Sequence, residues 1–478
     1  MDVVRQLQKL FLSQIAALDE AITEAKSFEE LEERIEGVAR EQIRGLMRLA
    51  VDEMDRRFLK QRDSSWKVLG FRSRTLLCYF GELRLRRRLY EHKETGETRF
   101  FVDEALGLPP KERWSPKLKR IATRFAMSLT YGETAELLGC WGVHISKQSI
   151  WKMVQHVGDA AIEQADERHR QVYEEGSVPD GQRQIRRLRI ESDGTFIKLQ
   201  RSKQKQAELK LFGVYEGRRK AARHEAVLKN RRLFGTLQPA DRAWEECVIE
   251  VAEQWNLDGL KRIDFGGDGA AWVKKGPEHF PGVESRVYLD TFHLRRALLR
   301  GLSHDEKAYT KVAQAIVDKD WPMAWQALER AYQTSKDKAR KRVKELATYL
   351  QENWSGLQDL PKEERLGVME ALMRHAVTRR MKRQQARWSM RGGEVMVRLR
   401  VAHLNDELDT VAQPRAWQRP VSLPHSIREQ PLLSPAAKQS DAGDWLAASL
   451  PVLAGPHQGR PWVRQIMRHL AHPHFQIA

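Results

Sequence analysis

The segment Arg187–Arg201, RLRIESDGTFIKLQR, sets the architecture expected of everything around it. Leu188, Ile190, Ile197 and Leu199 alternate with polar residues on either side of a turn-like Asp193-Gly194 pair, the period of a half-buried strand. An acid is thereby placed mid-strand in apolar company. Burying part of a carboxylate is costly unless it is paired or bound to a metal, so Asp193 requires a partner. Two later stretches bring acids in similar surroundings, Asp268 within Ile263–Trp272 (IDFGGDGAAW) and Glu370 within Leu366–Met381 (LGVMEALMRHAVTRRM).

Working downstream, LKLFGVYEG and HEAVLKNRRLFG read as further strands and Ala243–Trp255 as a helix. Ile263–Phe265 opens a fourth strand, and Arg286–Leu289 a fifth that ends at Asp290, with a helix beginning at Thr291. Three strands, helix, strand, helix, strand and then helices is the order of a ribonuclease-H-like α/β fold. In such a sheet Asp193 and Asp268 lie side by side, and Glu370 comes from a helix packed across it. In-line phosphoryl transfer uses two hard cations roughly 3.5–4 Å apart, and Mg²⁺ takes oxygen ligands. Asp193, Asp268 and Glu370 are therefore the candidate catalytic residues and metal ligands, for Mg²⁺ or in its place Mn²⁺. Asp290-Thr-Phe-His293 adds an acid and a histidine at a strand-to-helix junction, where His293 orients a carboxylate or contacts a phosphate. The alternative is a capping Asp and a surface His, and the two Asp-Gly pairs are alternatively plain turns.

The rest of the chain divides around this core. Residues 1–64 have helical periodicity and 65–112 read as a small β-rich region with turns at Gly81 and Thr95-Gly96. Within it Arg84, Arg86, Arg87 and Arg88 form a basic cluster, either phosphate-binding or a solvated strand face. Residues 113–180 are a helix-turn-helix candidate, with Ser146 as N-cap and Lys147, Gln148 and Ser149 on the first exposed turn of the second helix. The core's first part spans 181–301, an all-α insertion 302–362, and its second part with the catalytic helix 363–412. Trp321, Trp325 and Trp354 in the insertion are core tryptophans or stacking platforms for an unpaired base. Around Glu370 the chain is strongly basic, and Arg379, Arg380, Lys382 and Arg383 are candidate DNA contacts. The Pro- and His-rich tail, 413–478, reads as irregular with a short helix near Trp462–Leu470.

With 83 Lys+Arg against 65 Asp+Glu in 478 residues, the formal charge is +18, which favours a polyanionic partner, nucleic acid first and an anionic membrane surface second. No run is long and apolar enough for a membrane helix, and the first residues lack a signal-peptide layout, so the expected location is the cytoplasm, associated with the nucleoid. Cys78, Cys140 and Cys247 are too few and too scattered for disulfides or a thiolate zinc site and read as buried thiols.

The runs ESDGTFIKLQR, GGDGAAW, YLDTFHLRRAL and MEALMRHAVTRRMKRQQARWS, together with FGELRLRRRLYEHKETGETRFFVDEALGL, YGETAELLG and HISKQSIWKMV, resemble the insertion-sequence transposases of the ISLre-two group, relatives of the Mutator-like DDE class. The resemblance covers most of the chain except the last sixty or so residues. It implies that Asp193, Asp268 and Glu370 form the DDE triad, with Asp290 and His293 as the Asp-x-x-His signature between the second and third acids. It further implies a transposase that recognises terminal inverted repeats on double-stranded DNA, nicks at the element ends and transfers 3′-ends with Mg²⁺ as a homodimer or larger assembly. The competing readings are a DNA-binding regulator without activity and a stand-alone nuclease of the same fold.

Overall fold

The computed structural model describes residues 3–222, 225–361 and 364–411. The tail beyond them, with the helix expected near Trp462–Leu470, lies outside the described residues. The chain forms two compact units, one built from Met1–Leu118 and Gly139–His144, the other from Lys119–Leu138 and Ile145–Pro414. Among the described residues no helix is long and apolar enough to cross a membrane.

In the first unit, α1 (Val3–Glu24) and α2 (Phe28–Gln61) precede β1 (Trp66–Cys78), β2 (Gly81–His92), β3 (Thr98–Arg99) and α3 (Phe101–Ala105). Ser27 starts α2 by accepting from the Glu30 amide, which satisfies one of the donors a helix start leaves free. The β1–β2 hairpin closes at Cys78↔Gly81, with Gly81 at φ 105°, and its Leu76, Leu83 and Leu85 bury against Val51 and Val102. Half of the basic cluster is taken up internally. Arg87 and the buried Arg74 both bind Asp103, at 2.7 and 2.9 Å, and Arg88 binds the buried Asp55 at 2.6 Å. Arg84 and Arg86 are exposed.

Next come α4 (Pro116–Ala126), α5 (Tyr131–Cys140) and α6 (Lys147–Tyr173). Ser146 caps α6, its hydroxyl accepting from the Ser149 amide at 3.1 Å, and Lys147 and Gln148 are exposed on the first turn. Cys140 is exposed. This corrects the expectation of three buried thiols: Cys140 is the last residue of α5 and faces outward there.

The second unit is built on a mixed sheet. Its chain runs β4 (Arg183–Gln184), β5 (Arg187–Lys198), β6 (Gln206–Tyr215), β7 (Gly217–Ala222), β8 (Glu225–Lys229), β9 (Arg232–Thr236), α7 (Ala240–Gln254), β10 (Trp255–Asn256), β11 (Arg262–Gly267), α8 (Ala271–Lys274), β12 (Glu284–Leu289) and α9 (Thr291–Leu302). The main sheet has the order β12-β11-β5-β6-β9. β11 is parallel to both β5 and β12, while β5–β6 and β6–β9 are antiparallel. Asp193-Gly194 is not a turn. Asp193 pairs with Leu211 and Gly194 with Lys210 in an unbroken ladder, and the missing Cβ of Gly194 makes room for the Glu208 carboxylate, 2.7 Å from where that atom would stand.

One face of the sheet buries Leu188, Ile190, Phe212, Val214 and Phe265 against Trp244, Cys247 and Val251 of α7, apolar area worth on the order of 2 kcal/mol per large side chain. α10 (Glu306–Asp318), α11 (Trp321–Thr334) and α12 (Asp337–Asn353) form a helical layer with α9 around Leu302, Val312, Leu328, Leu346 and Leu350. There Trp321 packs edge-on to Trp354, with ring centroids 4.9 Å apart, and Trp325 is exposed, at 43%. The other face of the sheet carries α13 (Met369–Met373), a π-helical run over Arg374–Lys382, and α14 (Met390–Leu404); α15 (Leu408–Val411) follows. Gly213 admits Leu372 of α13, and Gly235 admits Val397 of α14. The widened turns of a π-helix leave carbonyls poorly paired. The buried Arg400 takes up two of them, donating to Ala376 O at 3.1 Å and to His375 O, and also to Met127 O at 2.7 Å.

Candidate functional site

Ser192, Gly267 and Leu289 stand level across β5, β11 and β12. The next residue of each strand is an aspartate: Asp193, Asp268 and Asp290. Neighbouring strands lie about 4.8 Å apart and residues at one level share a face, so the register sets three carboxylates in a row where β11 and β12 end. Asp290 is also the N-cap of α9, accepting from the Phe292 amide at 2.6 Å, and Asp268 accepts from the Ala270 amide at 2.9 Å. The capping bond aims α9 so that His293, in its first turn, comes back over the row.

Asp193 is the most perturbed member. It is 6% exposed, and its carboxyl is pushed up to about 6, first by burial and then by the negative charges of Asp268 and Asp290, against the pull of His293. Asp290 is raised as well, again mainly by burial. His293 Nε2 lies 3.8 Å from the Asp193 carboxylate, too long for a hydrogen bond, and is buried with no hydrogen-bond partner. Lys382, at the end of the π-helical run, donates to Thr195 Oγ1, two residues along β5 from Asp193. Burial lowers its ammonium from the ordinary lysine range while the charge of Asp193 opposes that shift.

The row is held from both sides by residues the sequence reading did not single out. Glu191, fully buried on the same face of β5, accepts from the Gly367 and Val368 amides at 2.7 and 2.9 Å and from the Tyr215 hydroxyl. It thus ties the approach to α13 onto the strand of Asp193. From α12, the Tyr349 hydroxyl donates to the Asp268 carbonyl at 3.0 Å. Gln358 donates to the carbonyl of Leu289, beside Asp290, at 2.8 Å. A signal for Glu191 was present in its i−2 spacing from Asp193; Tyr349 and Gln358 meet the row through folding of a distant segment and leave no local pattern.

Glu370 is exposed in the first turn of α13. It follows by three residues Gly367, whose Cβ position lies 3.7 Å from Asp290 Oδ1. Its carboxylate makes no hydrogen bond or ion pair among the described residues, and the carboxylates acting on Asp193 are those of Asp268 and Asp290. Arg379 and Arg383, further along the chain, are exposed. Arg380 departs from expectation. It is 7% exposed, donates to Ala126 O at 2.9 Å and lies over the rings of Tyr131 and Trp388, which makes it a packing residue and removes it from the candidate DNA contacts. As the side chains stand, no three His, Cys, Asp or Glu among the described residues enclose a metal site. The donor chemistry nevertheless fits a hard divalent cation, because carboxylate oxygens set in a row repel one another and are the ligands such a cation takes.

Residues 21–413 match the model of an uncharacterised protein family, UPF0236. One member from Caldanaerobacter subterraneus subsp. tengcongensis is 26% identical over 363 residues, 74% of this chain and 73% of the relative. A second from the same organism is 24% identical over 412 residues, 84% of each chain. A member from Streptococcus gallolyticus, named for its position in the vanSb 3′ region, is 24% identical over 404 residues, 82% of this chain and 86% of its own length.

Proposed function

The chain belongs to the uncharacterised family UPF0236, and from its row of carboxylates we propose that it is a DDE-type DNA transposase. In this reading it binds the terminal inverted repeats of its own insertion sequence and cuts and joins DNA with Mg²⁺. The observation that carries the reading is the register that brings Asp193, Asp268 and Asp290 level across three neighbouring parallel strands, with His293 Nε2 3.8 Å from the Asp193 carboxylate. Burial and the two neighbouring aspartates hold the Asp193 carboxyl up to about 6, and a cation joining the row would favour its ionised form. The sheet order, with the strands of Asp193 and Asp268 adjacent and parallel, supports a ribonuclease-H-like core. The name of one Caldanaerobacter relative joins eleven locus designations and that of another joins four, as a sequence copied to many places in one genome would. The charge of +18 suits a DNA substrate,.

Bound Mg²⁺ would supply charge neutralisation and Lewis acidity at the phosphate. Asp193 and Asp268 would hold it, with Glu370, free and exposed, as the third carboxylate. Asp290 fixes the start of α9 and so the place of His293, which steadies the Asp193 carboxylate or donates to a phosphate oxygen. Lys382 stands where its ammonium reaches the phosphate backbone once Asp193 is neutralised. Lys147 and Gln148 at the start of α6 read the repeat, and two copies of the chain hold the two element ends.

The test is nicking of a duplex carrying the inverted repeat found beside the gene. Wild-type protein with Mg²⁺ should cut at the repeat boundary, and Asp193→Asn and Asp268→Asn should each lose at least about 10³-fold in rate while still binding the duplex. Cleavage persisting in either variant would contradict the assignment. Glu370→Gln and Asp290→Asn identify the third acid by which of them abolishes cutting.

A further inference from the structure

Beyond the acid row, α9 and α12 carry arginines and lysines that the fold does not use. Along α9, His293, Arg296 and Arg300 follow one another at three- and four-residue spacing, and so share a stripe leading away from Asp193. Arg300 is 72% exposed at its side chain and meets Glu345 of α12 at 3.2 Å. Gly301 lets the helices close up, since the Leu346 side chain is 2.6 Å from where its Cβ would be. On α12 the same face continues from Tyr349, whose hydroxyl is on the Asp268 carbonyl, back through Glu345 to Arg342, Lys341 and Lys338, all three exposed. Arg296, Lys338, Lys341 and Arg342 form no ion pair or side-chain hydrogen bond among the described residues. At about 1.5 Å per residue, both stripes start at the acid row and extend on the order of 10–16 Å from it.

We propose that this paired stripe of α9 and α12 is a DNA-binding surface that holds the phosphate backbone of the duplex next to the cleavage point. The proposal rests on the transposase reading above and adds to it the path of the DNA leaving the acids. Tyr349 stands between the two, so a duplex seated on α12 bears directly on the segment that carries Asp268. Glu345 is the one acid within the stripe, and its bond to Arg300 keeps that guanidinium oriented along the same face.

The test measures binding of the full-length protein to a random-sequence duplex over a range of salt concentrations. The variants are Lys338→Gln/Lys341→Gln/Arg342→Gln together and, on the other helix, Arg296→Gln alone. These positions are exposed, and an unchanged melting temperature verifies folding. Removing one cation from the phosphate backbone makes the dependence of log affinity on log salt shallower by about 0.9. The triple variant should therefore lower the slope by about 2–3 and Arg296→Gln by about 1. If wild-type protein binds with a steep slope and both variants keep it, the surface is elsewhere while the transposase reading stands. If the wild-type protein binds no duplex at all, both fall together.

Discussion

Asp193 concentrates the physical argument at the scale of a single residue. Its carboxyl is displaced from 3.8 to about 6, so ionising it in the folded chain is unfavourable by roughly 3 kcal/mol as an upper bound. For a group raised in the fold, the stabilisation is complete below the unfolded value and is lost as pH rises through the folded one. Without divalent cations, Asp193→Asn should therefore melt higher than wild type at about pH 7.5, and the difference should vanish by about pH 4. Thermal unfolding across that range checks this, and an Asn variant less stable than wild type at the upper end would show that the carboxylate is already compensated. Asp193 was legible because an acid amid alternating apolar residues is costly wherever it is placed. Arg380 was not. Its neighbours in sequence are basic, and nothing local reveals that Ala126 O, Tyr131 and Trp388 close around it.

Among the elements, β5, β6 and β11 were readable from periodicity, and so was the fifth strand ending at Asp290 ahead of a helix, whereas HEAVLKNRRLFG, read as one strand, divides into β8, which pairs with β7, and β9 of the main sheet. The course of β5 through Asp193-Gly194 was misread because a Gly that makes room for Glu208 looks, in sequence, like a Gly that makes a turn. The widening of the helix after α13 into a π-helix was equally hidden, and so was Arg400 of α14, distant in sequence, donating to two of its carbonyls. The close fit of helix on helix has a direct test at Gly158 in α6, where an added Cβ would lie 2.2 Å from the Val395 side chain of α14. Gly158→Ala should cost about 1–3 kcal/mol by overpacking, read as a lowered denaturation midpoint, whereas helix propensity alone would make the same change stabilising by up to about 1 kcal/mol. A gain in stability would mean that the two helices separate easily.

For the molecule as a whole, sequence reading and structure agree on a mixed α/β chain with a helical layer placed between Asp290 and Glu370. The structure adds to this the way the helical layer touches the acids, through Tyr349 on the Asp268 carbonyl and Gln358 on the Leu289 carbonyl. Contacts of this kind join residues far apart along the chain, so no window of sequence contains them. The positive charge, visible from composition alone, resolves into arginines used for packing and ion pairing, such as Arg74, Arg87, Arg380 and Arg400, and others left facing solvent, such as Arg296, Lys341 and Arg379. Only the second group is free to meet a polyanion from outside the fold. The central claim, that the row of acids exists to hold divalent cations, is tested most directly by calorimetric titration of the protein with Mn²⁺ at about pH 7.5 and again at about pH 5. The account predicts binding at the higher pH, at least tenfold weaker binding at the lower, and none in Asp193→Asn/Asp268→Asn. Undiminished binding in that double variant, or no binding to the wild-type protein at either pH, would contradict it.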